Sequence, residues 1–506
     1  MVSDKSDSHQ SFAGVACLSC KTRKKKCNKA LPSCGYCARK RLACRYPSPG
    51  VDGGNRHIHL ERLSPIVGSS LLLMDTLSPV NLSSHVPLDS LLETASVDEF
   101  VHAQVHRIIH TTGRFLGDII QEFFLGIHRY APIVGRKRIY NVLAGLPVVS
   151  PPADFSILLL SICLHTHRPR LNENPASFGI HQESLYLSAK SLSSQVQAIT
   201  VSLGQPSLFL IQAKVLIAIF EYGRGMPDTA FLSIAECARL GYAAGLHRRA
   251  SNIGTEPQWK EEANTWWAIN IYERLIFCDV GTSRDQPFSA AMPSPHTLLP
   301  TEPKDLDSTE TPTATPVSVS CLTADDVGSL GRGAQAAWIL DQVFQAMREP
   351  KGQARLFRLG QVDRTLQEFM MRLMKQVRES DELLCGAIAV VIRTFFLLHE
   401  FILEEKPAVG EETSSWQAHL DQSRAALETA TKMMIDIIDD GSRISLPSTW
   451  PPSRIYRLRA ALTHINSRPE LRKDAWFRDA EGRLRDALDV CSWYRGATKP
   501  SPVRYQ

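Results

Sequence analysis

The feature that most constrains this chain is a run of regularly spaced cysteines near its N-terminus. The spacing has two matching halves, each a Cys-x2-Cys pair followed after six residues by a third cysteine. The six residues are Cys17, Cys20, Cys27, Cys34, Cys37 and Cys44. Clustered cysteines in a chain without a secretory signal bind metal more often than they form disulfides. Thiolates that fill every coordination position make a closed site, which is structural rather than catalytic.

This segment has too few apolar side chains to build a core, so metal binding has to supply its folding free energy. Its leucines are Leu18, Leu31 and Leu42, with little else apolar. A structural zinc ion contributes on the order of 10 kcal/mol or more. Six cysteines serve one tetrahedral zinc ion with two to spare, or two zinc ions if two sulfurs bridge them.

The other cysteines are scattered singly, mostly in apolar surroundings, and we expect them to be small core residues. They are Cys163, Cys237, Cys278, Cys321, Cys385 and Cys491. The N-terminal stretch MVSDKSDSHQ lacks the apolar core of a signal peptide, so a disulfide framework is not expected.

Charge is distributed as unevenly as the cysteines. The chain of 506 residues has a net charge of +5. Residues 17–46 contain six lysines, four arginines and no acidic residue, a charge of +10, which leaves −5 on the remainder. A short element this basic, attached to a body that is not basic, indicates contact with a polyanion through that element.

Half of these cations lie between Cys20 and Cys27, in the sequence KTRKKK at positions 21–26. These residues are reasonable helix formers, and metal ligands would hold both ends of a helix formed by them. The tip of such a helix can enter the major groove, where lysine or arginine donates to guanine O6 and N7. The segment therefore predicts binding to double-stranded DNA.

The segment CLSCKTRKKKCNKALPSCGYCARKRLACRYP resembles the binuclear zinc cluster of fungal transcription factors, both in its cysteine spacing and in Pro32 between the halves. The resemblance implies two zinc ions per chain. It also implies which thiolates are shared between the ions and which are terminal. The bridging ligands would be Cys17 and Cys34, the terminal ligands of one ion Cys20 and Cys27, and those of the other Cys37 and Cys44.

The same resemblance gives roles to the basic residues. The position that contacts a CGG triplet in the family corresponds to Lys24, with Arg23 alongside it. Six of the other cations are expected to contact phosphates, which gives affinity and salt dependence without sequence information. They are Lys21, Lys25, Lys26, Arg39, Lys40 and Arg41.

Other interpretations of the basic segment stay open. Two basic clusters, at positions 23–26 and 39–41, are compatible with a bipartite nuclear import signal, which can coexist with DNA binding. A zinc-dependent module that binds RNA or another protein is the main rival. Tyr36 and Tyr46 are too few for a platform that stacks single-stranded bases.

Composition divides the N-terminal part into a disordered tail (1–16), the zinc cluster domain (17–47) and a flexible linker rich in Pro, Gly and Ser (48–97). Many relatives carry a coiled coil in this linker that dimerises them. Positions 57–63 offer one or two helical turns before Pro65, short of the three or four heptads that a coiled coil needs. A homodimer therefore stays an open alternative.

Residues 98–300 are predicted to be helical, because apolar residues recur at three- and four-residue steps and no alternating strand pattern is visible. Asp228 is the expected N-cap of one such helix, and Gly245 its C-terminal stop. The buried stripe of this helix is predicted to be Phe231, Ile234, Ala235, Ala238 and Tyr242.

Residues 301–330, rich in Thr, Pro and Ser and acidic, are predicted to form a flexible insert. Helices are expected again over 331–493, one of them ending at Gly441, before a loose tail at 494–506. The expected fold class is all-α, with a small N-terminal zinc cluster module joined by a flexible linker to a large helical regulatory domain.

Part of the helical body resembles the middle homology region of the same fungal factors. The matching landmarks are the sequence GLHR at 245–248, the pair Trp266-Trp267 and a turn at 281–287. The turn is longer than the Gly-Arg-Pro of relatives, and Glu273 stands where they usually carry aspartate. His247 and the two tryptophans are expected to be packing residues of a helical core.

No motif in the chain predicts an enzyme. The metalloprotease pattern His-Glu-x-x-His, the phosphate-binding Gly-x4-Gly-Lys-Ser/Thr and the Gly-x-Ser-x-Gly elbow are all absent from the sequence. The most apolar stretch, 383–403, is interrupted by Arg393, His399 and Glu400, so it predicts a buried helix and no membrane partner.

These observations predict a nuclear, sequence-specific regulator of RNA polymerase II transcription that binds double-stranded DNA and engages the transcription machinery. Relatives with this architecture often control metabolic or secondary-metabolite genes. The helical body could bind a small-molecule effector, although no pattern in the sequence points to one.

Overall fold

The computed structural model divides the chain into two compact units, Met1–Gly68 and Ser69–Gln506. Most of the predicted tail at 1–16, the predicted linker up to residue 93 and the predicted C-terminal tail after residue 494 lie outside the described residues. The structure describes residues 16–17, 20, 25–31, 33–40, 44, 94–145, 150–168, 181–249, 256–281, 286–309, 316–379, 384–405, 413–444 and 450–494.

Helices account for nearly all of the regular structure in these ranges. In the first unit, helix α1 spans Gly35–Lys40. The helices of the second unit, called the helical body below, are α2 (Thr94–Thr111), α3 (Leu116–Leu125), α4 (Arg136–Gly145), α5 (Ala153–Thr166), α6 (Gln182–Leu203), α7 (Leu208–Gly223), α8 (Pro227–Ala243), α9 (Leu246–Arg249), α10 (Pro257–Phe277), α11 (Ser329–Arg348), α12 (Gln353–Glu379), α13 (Cys385–Glu404), α14 (Thr413–Ile444), α15 (Arg454–Asn466) and α16 (Ala475–Tyr494). Short 3-10 helices lie at Ile127–Arg129, Pro303–Asp305 and Leu471–Lys473.

No described residue lies in a β-strand, and extended pairing is limited to isolated bridges such as the antiparallel one between Leu298 and Ser318. The prediction of an all-α fold is therefore confirmed. The first helix of the body begins at Thr94, four residues before the predicted start.

The core of the helical body is organised around helices that are buried on every side. Helices α5 and α7 are buried at almost every position and pack against each other. Helix α7 also packs against α8 and α10, while α13 packs against α11 and α14. One continuous hydrophobic core runs from Val101 to Cys491. The predicted parts 98–300 and 331–493 therefore share a single core.

The ionisable residues of helix α7 have partners inside this core. On α7, Lys214 pairs with Glu236 at 3.0 Å, and Glu221 accepts hydrogen bonds from Tyr186 (2.8 Å) and Lys190. Such pairing is what makes the burial of charged groups tolerable. The helix can therefore run through the centre of the body although it carries ionisable side chains.

The predicted ends of two helices are only partly correct. The stripe on α8 is buried or half-buried as predicted, and Gly245 follows the helix with a φ of +74°, which glycine adopts without strain. Asp228, however, is not the N-cap: Met226 takes that position, and the Asp228 carboxylate accepts a hydrogen bond from the Gly281 N–H. Gly441 does not end α14, which continues to Ile444.

The prediction of a flexible insert over 301–330 is wrong for the described residues of that range. Leu306 and Val327 are buried there. The Lys260 ammonium group on α10 donates to the carbonyls of Asp305 and Ser308, and Glu302 accepts from the first N–H groups of α11. Residues 310–315 lie outside the described part of the chain.

Helix α13 is, among the described residues, the one long and apolar enough to cross a membrane, with a mean hydropathy of 1.8. Its most apolar stretch is 72% buried within the fold. Arg393 on this helix pairs with Asp279 at 3.0 Å, and His399 contacts Ser423. These contacts agree with the prediction of a buried helix.

The scattered cysteines behave as predicted in part. Cys163, Cys237 and Cys491 are buried in the hydrophobic core. Cys321 and Cys385 are exposed, so the prediction that they are core residues is wrong. Cys385 lies where the chain enters α13, and Cys321 lies where it enters a turn. Their apolar neighbours in the sequence did not indicate that these positions are exposed.

Candidate zinc centre and nucleic-acid interface

The sulfur atoms of the six N-terminal cysteines come together in two overlapping groups. Within each group of four, all Sγ atoms lie within 4.8 Å of one another. Cys17 and Cys34 belong to both groups, and their sulfurs are 3.7 Å apart. The first group is Cys17, Cys20, Cys27 and Cys34, and the second is Cys17, Cys34, Cys37 and Cys44.

Backbone hydrogen bonds fix the second half of this arrangement. The Cys34 carbonyl accepts from Ala38 N–H at 2.9 Å as α1 begins, and Cys37 on that helix is buried. The Cys34 N–H donates to the Cys44 sulfur at 3.1 Å. The chain therefore returns to the cluster after α1, which explains why six residues separate the third cysteine of this half from the second.

Sequence reasoning overlooked the residue that joins the two halves, Asn28. Its side-chain oxygen accepts a hydrogen bond from the Gly35 N–H at 2.7 Å. Lys29 beside it has a φ of +59°, the left-handed conformation that turns the chain back. A Cβ at position 35 would lie 3.2 Å from the Asn28 amide nitrogen, so glycine permits the close approach. The pair Asn-Lys after a ligand was the available signal, since asparagine favours turns.

The chemistry of these thiols suits a cation. Burial and the neighbouring thiols raise the pKa of Cys20 and Cys37, so on their own these groups keep their protons. At Cys44 burial has the same tendency, but the Cys34 N–H and nearby side chains lower its pKa to about 7. A divalent ion removes the protons from coordinating thiols. All-sulfur tetrahedral sites are typical of zinc, and six sulfurs with two shared satisfy two ions.

The cations of the cluster that the structure describes are on its surface. Lys25, Lys26, Arg39 and Lys40 are all exposed. No acidic residue occurs between positions 17 and 46 to neutralise them. The other predicted DNA contacts, namely Lys21, Arg23, Lys24 and Arg41, lie outside the described residues.

The aromatic landmarks in the helical body form packing contacts. The indoles of Trp266 and Trp267 are buried, and the Trp267 N–H donates to the Leu298 carbonyl at 3.2 Å. The His247 ring lies 4.9 Å from the Tyr242 ring and 6.0 Å from that of Trp266, measured between centroids. These contacts agree with the expectation that the three residues pack in a helical core.

Glu273 and Arg274 form the centre of a buried network that the sequence did not reveal. The Arg274 guanidinium donates to Asp341 at 3.1 Å and to the Ala290 carbonyl at 2.8 Å. Glu273 accepts from the backbone N–H groups of Ser289 and Ala290. The network thereby ties the loop after α10 to α10 and α11. The departure from aspartate at position 273 was the one hint, because the longer side chain reaches this loop.

Two family models match the chain, one in each unit. The fungal Zn(2)-Cys(6) binuclear cluster domain matches residues 15–50. The fungal specific transcription factor domain matches residues 120–318, from within α3 to the loop that follows α10.

Individual relatives agree with these matches. Transcription factor BOA15 of Botryotinia fuckeliana is 28% identical over 146 residues, which is 28% of this chain and 75% of the relative. An uncharacterized transcriptional regulatory protein of Schizosaccharomyces pombe is 23% identical over 272 residues, 52% of this chain and 37% of the relative.

A third relative matches the cysteine segment. Zinc cluster transcription factor CZF1 of Candida albicans is 43% identical over 42 residues, 8% of this chain and 11% of the relative. The chain thus spans three quarters of one relative and much less of the other two. With these matches and six convergent thiols, the chain contains a fungal Zn(2)-Cys(6) binuclear cluster domain, which binds two zinc ions, and a fungal specific transcription factor domain.

Proposed function

We propose that this chain is a sequence-specific regulator of RNA polymerase II transcription, which acts in the nucleus and binds CGG-containing duplex DNA through residues 17–46. The observation that carries the proposal is that this cysteine-rich segment has no carboxylate and exposes several cations. They are Lys25, Lys26, Arg39 and Lys40. Such a surface attracts the phosphate backbone of DNA. Metabolic or secondary-metabolite genes are the targets that the family resemblance suggests.

For the zinc ions, we propose that Cys17 and Cys34 bridge them. The support is that these two sulfurs alone belong to both groups of four. Each ion then has two further thiolates, and every coordination position is filled by sulfur. The terminal ligands are Cys20 and Cys27 for one ion, and Cys37 and Cys44 for the other. No coordination position remains for a reactive water, so we attribute no catalytic step to the centre.

For the DNA contacts, we propose that some cations contact base edges and others contact phosphates. Lys24, with Arg23 beside it, contacts guanine edges in the major groove, as the family resemblance suggests. Six other cations bind phosphates, and the exposure of four of them supports this role. They are Lys21, Lys25, Lys26, Arg39, Lys40 and Arg41.

The helical body, in this proposal, regulates what the zinc cluster does on DNA. A body with its own continuous core can change activity only through two arrangements that a ligand or partner binds unequally. A shift between these two arrangements would alter homodimer formation and contact with the transcription machinery.

Two matched lysine variants test the division of roles. Lys24→Ala should cost about 1–3 kcal/mol of binding free energy on a CGG duplex and relax the preference for that sequence, because a base contact is lost. Lys40→Ala should weaken binding to all duplexes alike and reduce the slope of log K against log salt by about one unit. Binding is measured on a CGG duplex and on a scrambled duplex over a range of salt concentrations.

Zinc content is the control, because both variants must retain two ions per chain for the comparison to be valid. Equal effects of the two variants on both duplexes would show that Lys24 does not read bases. If the wild-type chain itself showed no preference among duplexes, the main rival, a zinc-dependent RNA- or protein-binding module, would replace the proposal.

A further inference from the structure

Two arginines at the beginning of α15 are buried on the same side of that helix. Arg454 and Arg457 stand one helical turn apart, so their side chains are neighbours. They are 7% and 3% exposed, and every residue from position 451 to 458 is buried. Side chains on a helix point back toward its N-terminus, so both guanidinium groups are directed toward the first turn of α15.

Neither guanidinium group has a hydrogen bond or an ion pair with any described residue, and the Nε atoms of both are buried without a partner. The other deeply buried arginines of the body are bonded differently. Each of them donates at least two hydrogen bonds to carboxylate, amide or carbonyl oxygens. They are Arg274, Arg332, Arg355 and Arg393.

The surroundings of the pair do not compensate its charge. The Arg454 guanidinium lies 4.1 Å over the Trp450 ring, a contact that leaves its N–H groups unused. Asp279, whose charge acts on Arg459 of the same helix, is already bound by Arg393 and by the Tyr222 hydroxyl at 2.9 Å. Burial and the charge of Arg454 together lower the pKa of Arg457 to about 10.

The N-terminus of α15 adds to the positive potential of the two arginines. The α15 N-terminus carries the positive end of the helix dipole, and the side chain of its N-cap, Ser453, makes no capping hydrogen bond. Cys385 lies close enough to Arg457 to act on its charge and is exposed, so the pair sits just beneath the surface. Two unpaired guanidinium forks at a helix N-terminus are the donor set that carboxylate and phosphate groups bind.

We propose that Arg454, Arg457 and the N-terminal turn of α15 form a binding site for a small anion that carries a carboxylate or phosphate group. The planar forks can each donate two parallel hydrogen bonds to such a group. The ligand would supply the negative charge that the described part of the fold lacks at this place. The site belongs to the helical body and does not depend on how residues 17–46 bind DNA.

The test uses the full-length, zinc-loaded chain and two probes, inorganic phosphate and malonate, with chloride at equal ionic strength as the reference. Thermal unfolding of the helical body is followed by circular dichroism. A specific site predicts a saturable rise of Tm with probe concentration, because the anion binds the folded state alone. A response to phosphate but not to malonate identifies a phosphate site, and the reverse identifies a carboxylate site.

Arg457→Met decides between a ligand site and a merely structural arginine. The variant should lose the probe-dependent rise, with affinity weakened roughly tenfold or more, and should melt no lower than wild type without the probe. Arg485→Gln, which removes an exposed guanidinium on α16, should respond to the probes as wild type does. If Arg457→Met does not fold, Arg454→Met serves in its place.

Three results would overturn the proposal. One is an equal response of wild type and Arg457→Met, which means general salt stabilisation. Another is no response of the wild type to either probe. The third is much tighter binding of both probes by the variant Asp381→Asn/Glu382→Gln than by the wild type, which means that an acid next to α13 in the chain neutralises the arginines in the wild type.

Discussion

The two units of this protein are organised by different forces, although both use cysteine in their interior. In the zinc cluster segment the buried residues are thiols: Cys17, Cys20, Cys34 and Cys37 form a small cluster of their own. In the helical body the buried thiols, such as Cys163, are single members of a large hydrophobic core. The comparison teaches that spacing, rather than residue type, indicates whether a cysteine binds metal or fills a core.

The two units also differ in whether their cationic side chains are paired with acids. The zinc cluster segment exposes its cations and has no acid to pair with them. The helical body buries several arginines and pairs them with acids distant in sequence, as Arg274 with Asp341 and Arg393 with Asp279. The first arrangement leaves charge available for a partner, whereas the second makes it part of the stability of the fold.

Removal of zinc should produce the largest difference in stability between the two units. A chelator should unfold the cysteine segment, because metal binding supplies on the order of 10 kcal/mol of its folding free energy. The helical body should keep its melting temperature, since its core contains no metal ligand set among the described residues. Metal analysis, proteolysis at the lysines of the segment and thermal melting with and without chelator measure the three outcomes.

Two cysteine variants sharpen this test. Cys17→Ala should reduce zinc content more than Cys20→Ala, because Cys17 belongs to both groups of sulfurs whereas Cys20 belongs to one. One zinc ion per wild-type chain, or a segment that stays resistant to protease after chelation, would contradict the two-ion arrangement. A body that melts earlier after chelation would contradict the independence of the units.

The ion network of the helical body should be the next most sensitive feature. Arg274→Met leaves the buried carboxylates of Glu273 and Asp341 without their cation, and breaking a buried pair in this way costs about 3–5 kcal/mol. The pair of exposed Arg485 and half-buried Glu481 provides the control, for which Arg485→Gln should change stability by about 0–1 kcal/mol. Urea unfolding at pH 7 measures both. Equal and small losses would mean that the network stabilises the body no more than a surface pair does.

The sequence was most informative where a pattern is local. Six cysteines in two halves predict a metal cluster, and steps of three and four residues predict the stripe on α8, because ligand spacing and helical periodicity act over a few residues. Gly245 as a helix stop is also local, since its left-handed φ follows from the lack of a side chain.

What could not be predicted depends on contacts between distant parts of the chain. Asp228 has the composition of an N-cap, but its carboxylate bonds Gly281, 53 positions away. Residues 301–309 have a loop composition, yet Lys260 binds their carbonyls. The Arg393–Asp279 pair spans 114 positions. No local pattern carries these partners, so the interior charges of the body and the unpaired state of Arg457 emerge only from the structure.

Acid should weaken the helical body for a reason unrelated to zinc. His128 is buried, and its Nε2–H donates to the Val134 carbonyl at 2.9 Å. Burial, with a smaller contribution from the charge of Arg136, lowers its pKa to about 4. In the unfolded chain the pKa of histidine is about 6.5. The neutral histidine therefore contributes stability that is fully present above pH 6.5 and is lost as the pH falls toward 4, by up to about 3 kcal/mol.

His128→Gln should abolish this dependence at one site while keeping a donor for Val134. Unfolding of the wild-type body between pH 6.5 and 4 takes up one proton at His128, and a further one at His464, whose pKa burial also lowers to about 4. Each proton gives a slope of about 1.4 kcal/mol per pH unit, so the variant should lose one such increment. Urea unfolding at several pH values, on zinc-loaded and on chelated protein, measures the slope. Because acid also releases zinc by protonating thiolates, an equal slope in the two preparations assigns the effect to the body, and an unchanged slope in His128→Gln would exclude His128 as its source.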